Sequence, residues 1–265
     1  MLNSEQINEN FGFKSEEEKQ REKNEKAQLQ LVVKSNALIQ ETRYELTTQE
    51  QKLIIYLVSL IKPNYEEFQV FSIDVKEVCN IMGITEHYQN YANLKSSLKA
   101  LADKSFWIST QEKEYLFRWL EQLEIDKTQT KVLCRFDERL KPYLLKLRES
   151  FTTFNLCYVL ALKSKYAIRL YELFHSYLYR KEFQLTLEEI RRMLKLEDKY
   201  AEYKELNRNV IKKAVEEINE ITDLTIEYRP IREGKRIVSI EFKVKCLNDA
   251  ITQQIALEQI SLDEV

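Results

Sequence analysis

FSIDVKEVCNIMGI (71–84) and FQLTLEEIRRMLKL (183–196) lie 112 positions apart and share one apolar skeleton. Phe71 answers to Phe183, Ile73 to Leu185, Val75 to Leu187, Val78 to Ile190, Ile81 to Met193 and Ile84 to Leu196, while the polar positions drift. The register continues at the same offset: Tyr91, Leu94 and Leu98 fall on Tyr203, Leu206 and Val210. A core constrains apolar positions and leaves solvated ones to vary, so the pattern reads as one domain duplicated in tandem.

Working outward, each copy presents the same order of elements. In the first, LVVKSNALI (31–39) reads as a strand, and LTTQEQKLIIYLVSLI (46–61) as a helix capped by Thr47 or Thr48 and stopped by Pro63. FQVFSI (68–73) alternates like a strand; DVKEVCNIMGI (74–84) starts at an Asp74 cap and ends near Gly83; a third helix runs from about 91 to 104. FWIST, LFRWLEQLEI and KVLCRFD follow as strands, the last two joined by DKTQT as a hairpin. In the second copy the helix SKYAIRLYELFHSYLY, the strand FQLTL, the helix LEEIRRMLKL and the helix YKELNRNVIKKAVEEINEI precede the hairpin DLTIEYRPIREGKRIVSIEFKVK, whose turn holds Gly234. DERLKPYLLKLRESFTTFNL between the copies reads as a linker helix and a short strand. A helix-turn-helix followed by a β-hairpin is a winged helix. The expected fold is therefore α+β and helix-rich, with two tandem winged-helix domains. Residues 1–28 are expected to form a disordered or fraying charged tail, 29–150 the first domain with its linker helix, 151–247 the second, and 248–265 an acidic tail.

Composition agrees. The chain has 265 residues, 44% of them hydrophobic, with three Gly and three Pro, which suits two ordinary cores built from long elements. The four Cys are isolated and read as reduced core thiols of a cytoplasmic protein. No apolar run reaches bilayer length, and the acidic first stretch resembles neither a signal nor a transit peptide, so no membrane association is expected. The formal charge is −2, but residues 1–30 hold −2 and residues 248–265 hold −4, leaving +4 on 31–247. Binding answers to the local field and not to the total.

The common catalytic patterns are missing. With Gly at only 12, 83 and 234, neither GxxxxGK[ST] nor GxGxxG can occur; with His at only 87 and 175, HExxH and a nickase's paired histidines cannot either. The carboxylates stand beside Lys and Arg at solvated helix positions. We expect no enzyme, no cofactor and no metal.

The last helix of a helix-turn-helix offers its outer face to the major groove. On a 100° wheel Leu206, Val210, Ala214, Ile218 and Ile221 face inward, and Arg208, Asn209 and Lys212 face outward, with Lys204, Asn207 and Lys213 in the same helix. Arg reads guanine, Asn reads adenine and Lys neutralises phosphate. Arg229, Arg232, Lys235 and Arg236 make the second wing basic, as backbone or minor-groove contact requires. A solvated charged helix and turn would look similar in sequence. In the first copy Asn93, Lys95, Ser96 and Lys99 form a smaller polar face, suited to DNA contact or to a structural or dimer surface. Lys163, Lys165 and Tyr166 open a helix whose N-terminal amides favour phosphate; Arg169, one turn further on, is suited equally to phosphate contact and to a structural ion pair.

These residues resemble a known family. LVVKSNALIQETRYELTTQEQKLIIYLVSLI, LKSKYAIRLYELFHSYL and ALADKSFWI are similar to segments of the iteron-binding initiators of theta-replicating plasmids, over roughly 30–247. The resemblance implies double-stranded DNA binding at direct repeats of a plasmid origin, with the Lys204–Lys213 helix as main reader and SKYAIR on the backbone. It also implies a monomer–dimer equilibrium, a dimer that represses its own gene, and contact with the host initiator ATPase and the replicative helicase or its loader. A tandem winged-helix regulator of inverted repeats and a protein-interaction adaptor are the alternatives.

Overall fold

The computed structural model describes residues 16–247, except 86, 110, 111 and 129 and the side chains of 16–18, 20 and 109. Both quoted stretches form a strand running directly into a helix. In the first, β3 (Phe71–Asp74) enters α4 (Val75–Ile81), and the Asp74 carboxylate accepts from Lys76 N. In the second, β9 (Glu182–Thr186) enters α9 (Leu187–Leu194). Here Thr186 accepts from Glu189 N while Glu189 reaches back to Thr186 N, a reciprocal cap. Ile73, Leu185, Val75, Leu187, Val78, Ile190, Ile81, Met193 and Leu196 are buried, so the shared skeleton is the shared core. Thr186→Ala removes half of the cap and is expected to lower the unfolding free energy by about 1 kcal/mol, measured by chemical unfolding.

The rest of each copy repeats the plan. The first helices are α3 (Thr48–Ser59), with a Thr47–Glu50 capping box, and α8 (Lys165–Ser176). The third helices are α5 (Tyr88–Asp103) and α10 (203–221). The wings are β6 (Leu120–Ile125) with β7 (Lys131–Phe136), and β10 (Leu224–Glu233) with β11 (Arg236–Cys246). The strand orders match: β3-β7-β6 in one sheet, β9-β11-β10 in the other. Gly83 (φ +65°) and Gly234 (φ +60°) occupy left-handed positions where a Cβ would be strained.

Several elements depart from expectation. Segment 31–39 is a strand only as far as β1 (Leu31–Ser35); Ser35 then caps α2 (Asn36–Gln40) by accepting from Leu38 N. The stretch from 114 to 125 breaks at buried Trp119, so β5 (Glu114–Arg118) joins β4 (Ser105–Ser109) and β2 (Thr42–Arg43) in a separate sheet. Over 16–28 the expected tail is a helix, α1 (Glu16–Gln28), docked on α4: Gln28 Nε2 donates to Ile81 O at 2.8 Å, and Lys23 pairs with Glu77 at 3.0 Å. Residues 1–15 and 248–265 lie outside the described residues. The linker contributes a 3-10 turn over Glu138–Leu140 and one α-helical turn, α6 (Lys141–Leu144).

The dividing line expected at 150 is crossed by structure. β8 (Phe151–Asn155), which leads through α7 (Leu156–Ala161) into the second copy, pairs antiparallel with β1. A buried charged group crosses it too. Lys34 Nζ lies 2.6 Å from Glu172 Oε1, Arg169 Nη1 lies 3.6 Å from Glu172 Oε2, and the Tyr44 hydroxyl donates to Glu172 at 3.4 Å. A second buried group ties α8 to the start of β10: Asp223 Oδ1 accepts from Tyr171 OH at 2.9 Å and lies 3.3 Å from His175 Nε2. Burial alone would raise the Asp223 carboxyl, but the His175 contact and the Tyr171 hydroxyl outweigh it and hold it below its ordinary value.

Candidate nucleic-acid interface

α10 is not a uniform α-helix. Tyr203–Leu206 and Lys212–Ile221 are α-helical, but Asn207–Ile211 between them forms a π turn, closed by Lys212 N donating to Asn207 O. A π turn advances less rotation per residue than an α turn. The buried stripe therefore takes in Ile211 and Val215 beside Leu206, Val210, Ala214 and Ile218. Ile221, placed inward by the uniform wheel, is only half-buried. Opposite that stripe Lys204, Glu205, Arg208, Lys212, Lys213 and Glu216 are exposed.

The wing lies alongside this helix. Asn219 exchanges two hydrogen bonds with the Ile226 backbone, and Tyr228 OH donates to Asn207 Oδ1 at 2.8 Å. β10 thus travels from the C-terminal half of α10 toward its N-terminal half. The exposed tip that follows carries Arg232, Lys235 and Arg236. A helix with an exposed cationic face, braced against a hairpin with a basic tip, can follow a groove and the phosphates beside it. The face is not uniformly positive. Lys212 lies 3.7 Å from Glu216, and Arg229 holds Glu241 through two bonds, Nη2 to Oε1 at 3.0 Å.

Some expected contacts are elsewhere. Asn207 is half-buried and committed to Tyr228, so it joins helix to wing; Asn209 is half-buried as well. Arg169 is 4% exposed and structural: its Nη2 donates to Ile39 O at 2.6 Å, Thr42 O at 3.1 Å and Thr42 Oγ1 at 2.8 Å, and its guanidinium lies 4.7 Å from the Tyr44 ring centroid. The amides that open α8 are already bonded. Ser164 Oγ accepts from Tyr166 N and Ala167 N, and Glu217 accepts from Lys163 N and Ser164 N, so no phosphate is needed there. The Lys163 side chain remains exposed; Lys165 is half-buried over the half-buried Tyr166 ring.

In the first copy Asn93, Ser96 and Lys99 are exposed on α5, with Asn93 Oδ1 accepting from Gln89 Nε2 at 3.0 Å. Lys95 is half-buried and donates to Asp126 O at 2.9 Å, bracing the helix against its wing. Sequence reading missed three residues in matching places. Tyr88, 81% exposed, opens α5; it was overlooked because the helix was started at 91. Lys195 and Lys199 are exposed in the turn before α10, where a basic turn adjoining a reading helix was the available signal.

Among the described residues no cluster of three or more His, Cys, Asp or Glu is placed to hold a metal ion, and no helix is long and apolar enough to cross a membrane.

Comparison with known proteins bears on this arrangement. The model described as initiator replication protein, WH1, matches residues 31–175, and that described as initiator Rep protein, WH2, matches 186–244. The chain belongs to the initiator replication protein family. Two winged-helix domains are what the family models name and what the coordinates contain. A replication initiation protein of Escherichia coli is 27% identical over 207 residues; the match spans 74% of this chain and 64% of that relative, less than two thirds of its length. Among solved structures, domains 2 and 3 of RctB are similar over 80% of this chain and 83% of theirs, with 12% identity and a TM-score of 0.45. The WH1 domain of MSBI1.176, a replication protein isolated from a multiple sclerosis patient, is similar over 37% of this chain and 80% of that one, with 21% identity and a TM-score of 0.29.

Proposed function

We propose that this family member initiates plasmid replication by binding direct repeats in the duplex DNA of the plasmid origin. The carrying observation is the second copy, where exposed Arg208 and Lys212 share a helix that is hydrogen-bonded to a wing with a basic tip. Arg208 reads the groove, and Lys212, with Lys204 and Lys213, holds the phosphates at its edges. Arg229, Arg232, Lys235 and Arg236 follow the adjoining backbone, and Lys163, Lys165, Lys195 and Lys199 hold the phosphates near the turn. Asn93, Ser96 and Lys99 of the first copy meet the next groove segment. One chain thereby spans a long site without a partner. The protein acts by binding and not by catalysis, in the bacterial cytoplasm and away from membranes.

The chain also self-associates through its first domain, and the dimer represses its own gene. The support is the exposed cross-strand pair Trp107 and Leu116 on the outer face of the β2-β4-β5 sheet, whose β5 edge has no further strand among the described residues. The host initiator ATPase and the replicative helicase or its loader complete the assembly. Footprinting on the replicon's own direct repeats tests this reading: protection of each repeat by one chain is expected, and protection confined to an inverted repeat would favour a transcriptional regulator.

A further inference from the structure

Glu45 belongs to the loop between β2 and α3, in the first copy, yet its carboxylate lies over cations of the second. Oε1 is 3.2 Å from Lys165 Nζ. The loop is fastened there: Thr48 Oγ1 donates to Lys163 O at 3.2 Å, and Gln51 Nε2 donates to Lys165 O at 3.2 Å. Glu45, Lys165, Tyr166, Met193 and Leu194 line one cleft at the seam between the copies. The bond to Lys165 and its charge hold the Glu45 carboxyl below the ordinary range, and Lys199 and Lys195 add to the effect. The same three lysines adjoin the turn that precedes the reading helix. The Glu45 side chain is 56% exposed, so the pair contributes little to stability.

A carboxylate and a phosphodiester share the relevant chemistry: one negative charge, and oxygens that accept from ammonium groups. We propose that Glu45 stands in for a DNA phosphate, occupying in the free protein the place that a backbone phosphodiester takes in the complex. The inference rests on the duplex-binding reading above. Its consequence is that the second copy cannot settle on a backbone without displacing a residue of the first. Affinity for any duplex is thereby lowered, and docking of one copy is sensed by the other.

The test is duplex binding by the full chain, titrated against salt on a random-sequence duplex, for wild type, Glu45→Gln, Lys165→Ala and the double variant. Glu45→Gln is expected to bind about two- to fivefold more tightly, the scale of an exposed ion pair. Lys165→Ala is expected to bind more weakly, with a log–log salt slope shallower by about 0.9, one phosphate contact. The gain from Glu45→Gln should shrink in the Lys165→Ala background. Unchanged affinity in Glu45→Gln, an unchanged slope in Lys165→Ala, or an equal gain in both backgrounds would overturn the proposal while leaving the DNA reading intact. Absence of any salt-dependent duplex binding by wild type would overturn both. Thermal melting of each variant, expected to match wild type, shows that folding is not the cause.

Discussion

Glu172→Gln is expected to lower the unfolding free energy by about 3–5 kcal/mol, the cost of breaking a buried ion pair from one side. Glu172 is fully buried between two cations that are themselves buried, Lys34 from β1 and Arg169 from its own helix. The amide fills nearly the same space but removes the only negative charge in this group, leaving two cations without compensation. Lys34→Met should be much milder, because Arg169 and Glu172 still neutralise one another. The lowered pKa of Lys34 points the same way: burial presses it toward the neutral form and Arg169 adds to that pressure, against the pull of Glu172. Chemical unfolding of both variants checks the asymmetry. A Lys34→Met variant as unstable as Glu172→Gln would mean that a lost bond, not an unbalanced charge, sets the cost. Because the group joins β1 to α8, hydrogen exchange in Glu172→Gln should rise first in β1 and β8.

Arg208→Ala should cut affinity for the cognate site about 10- to 100-fold and relax the preference at the base it reads. Affinity for random duplex should change far less. Lys212→Ala makes the contrast: as a phosphate contact it should weaken all duplexes alike and make the salt slope shallower by about one contact. Both side chains are exposed, so neither change should shift stability by much. Equal losses on cognate and random DNA for Arg208→Ala would demote it to a backbone contact and move base reading elsewhere on α10.

The parts of the fold that were legible are those with a local physical signature. Thr47 and Asp74 cap their helices as their positions suggested, and Gly83 and Gly234 take the left-handed turns that only glycine adopts cheaply. The paired apolar skeleton became two equivalent strand–helix units, buried in one continuous core, because strand and helix periods expose the buried positions directly. Illegible features depended on residues distant in sequence or on a break in the period. Arg169 lies on an amphipathic helix where a phosphate contact and a structural ion pair look alike until Thr42 and Glu172 are seen to enclose it. Glu217, some fifty residues downstream, satisfies amides that otherwise seem reserved for phosphate. The π turn at Asn207–Ile211 defeats any wheel drawn at 100°, which is why Ile211 and Val215 were left out of the core and Asn207 was given to DNA instead of to the wing. The β1–β8 pairing crosses the boundary that the repeat and its linker suggest near residue 150.

The central claim is that one chain reads one long site with both copies. Selection of bound duplexes from a random pool with the purified full-length protein, followed by salt titration of the winning sequence, tests it most directly. A single asymmetric word of about two helical turns is expected, present as direct repeats in the replicon, with affinity that falls steeply with salt. A palindromic word, or no enrichment even at low salt, would contradict it.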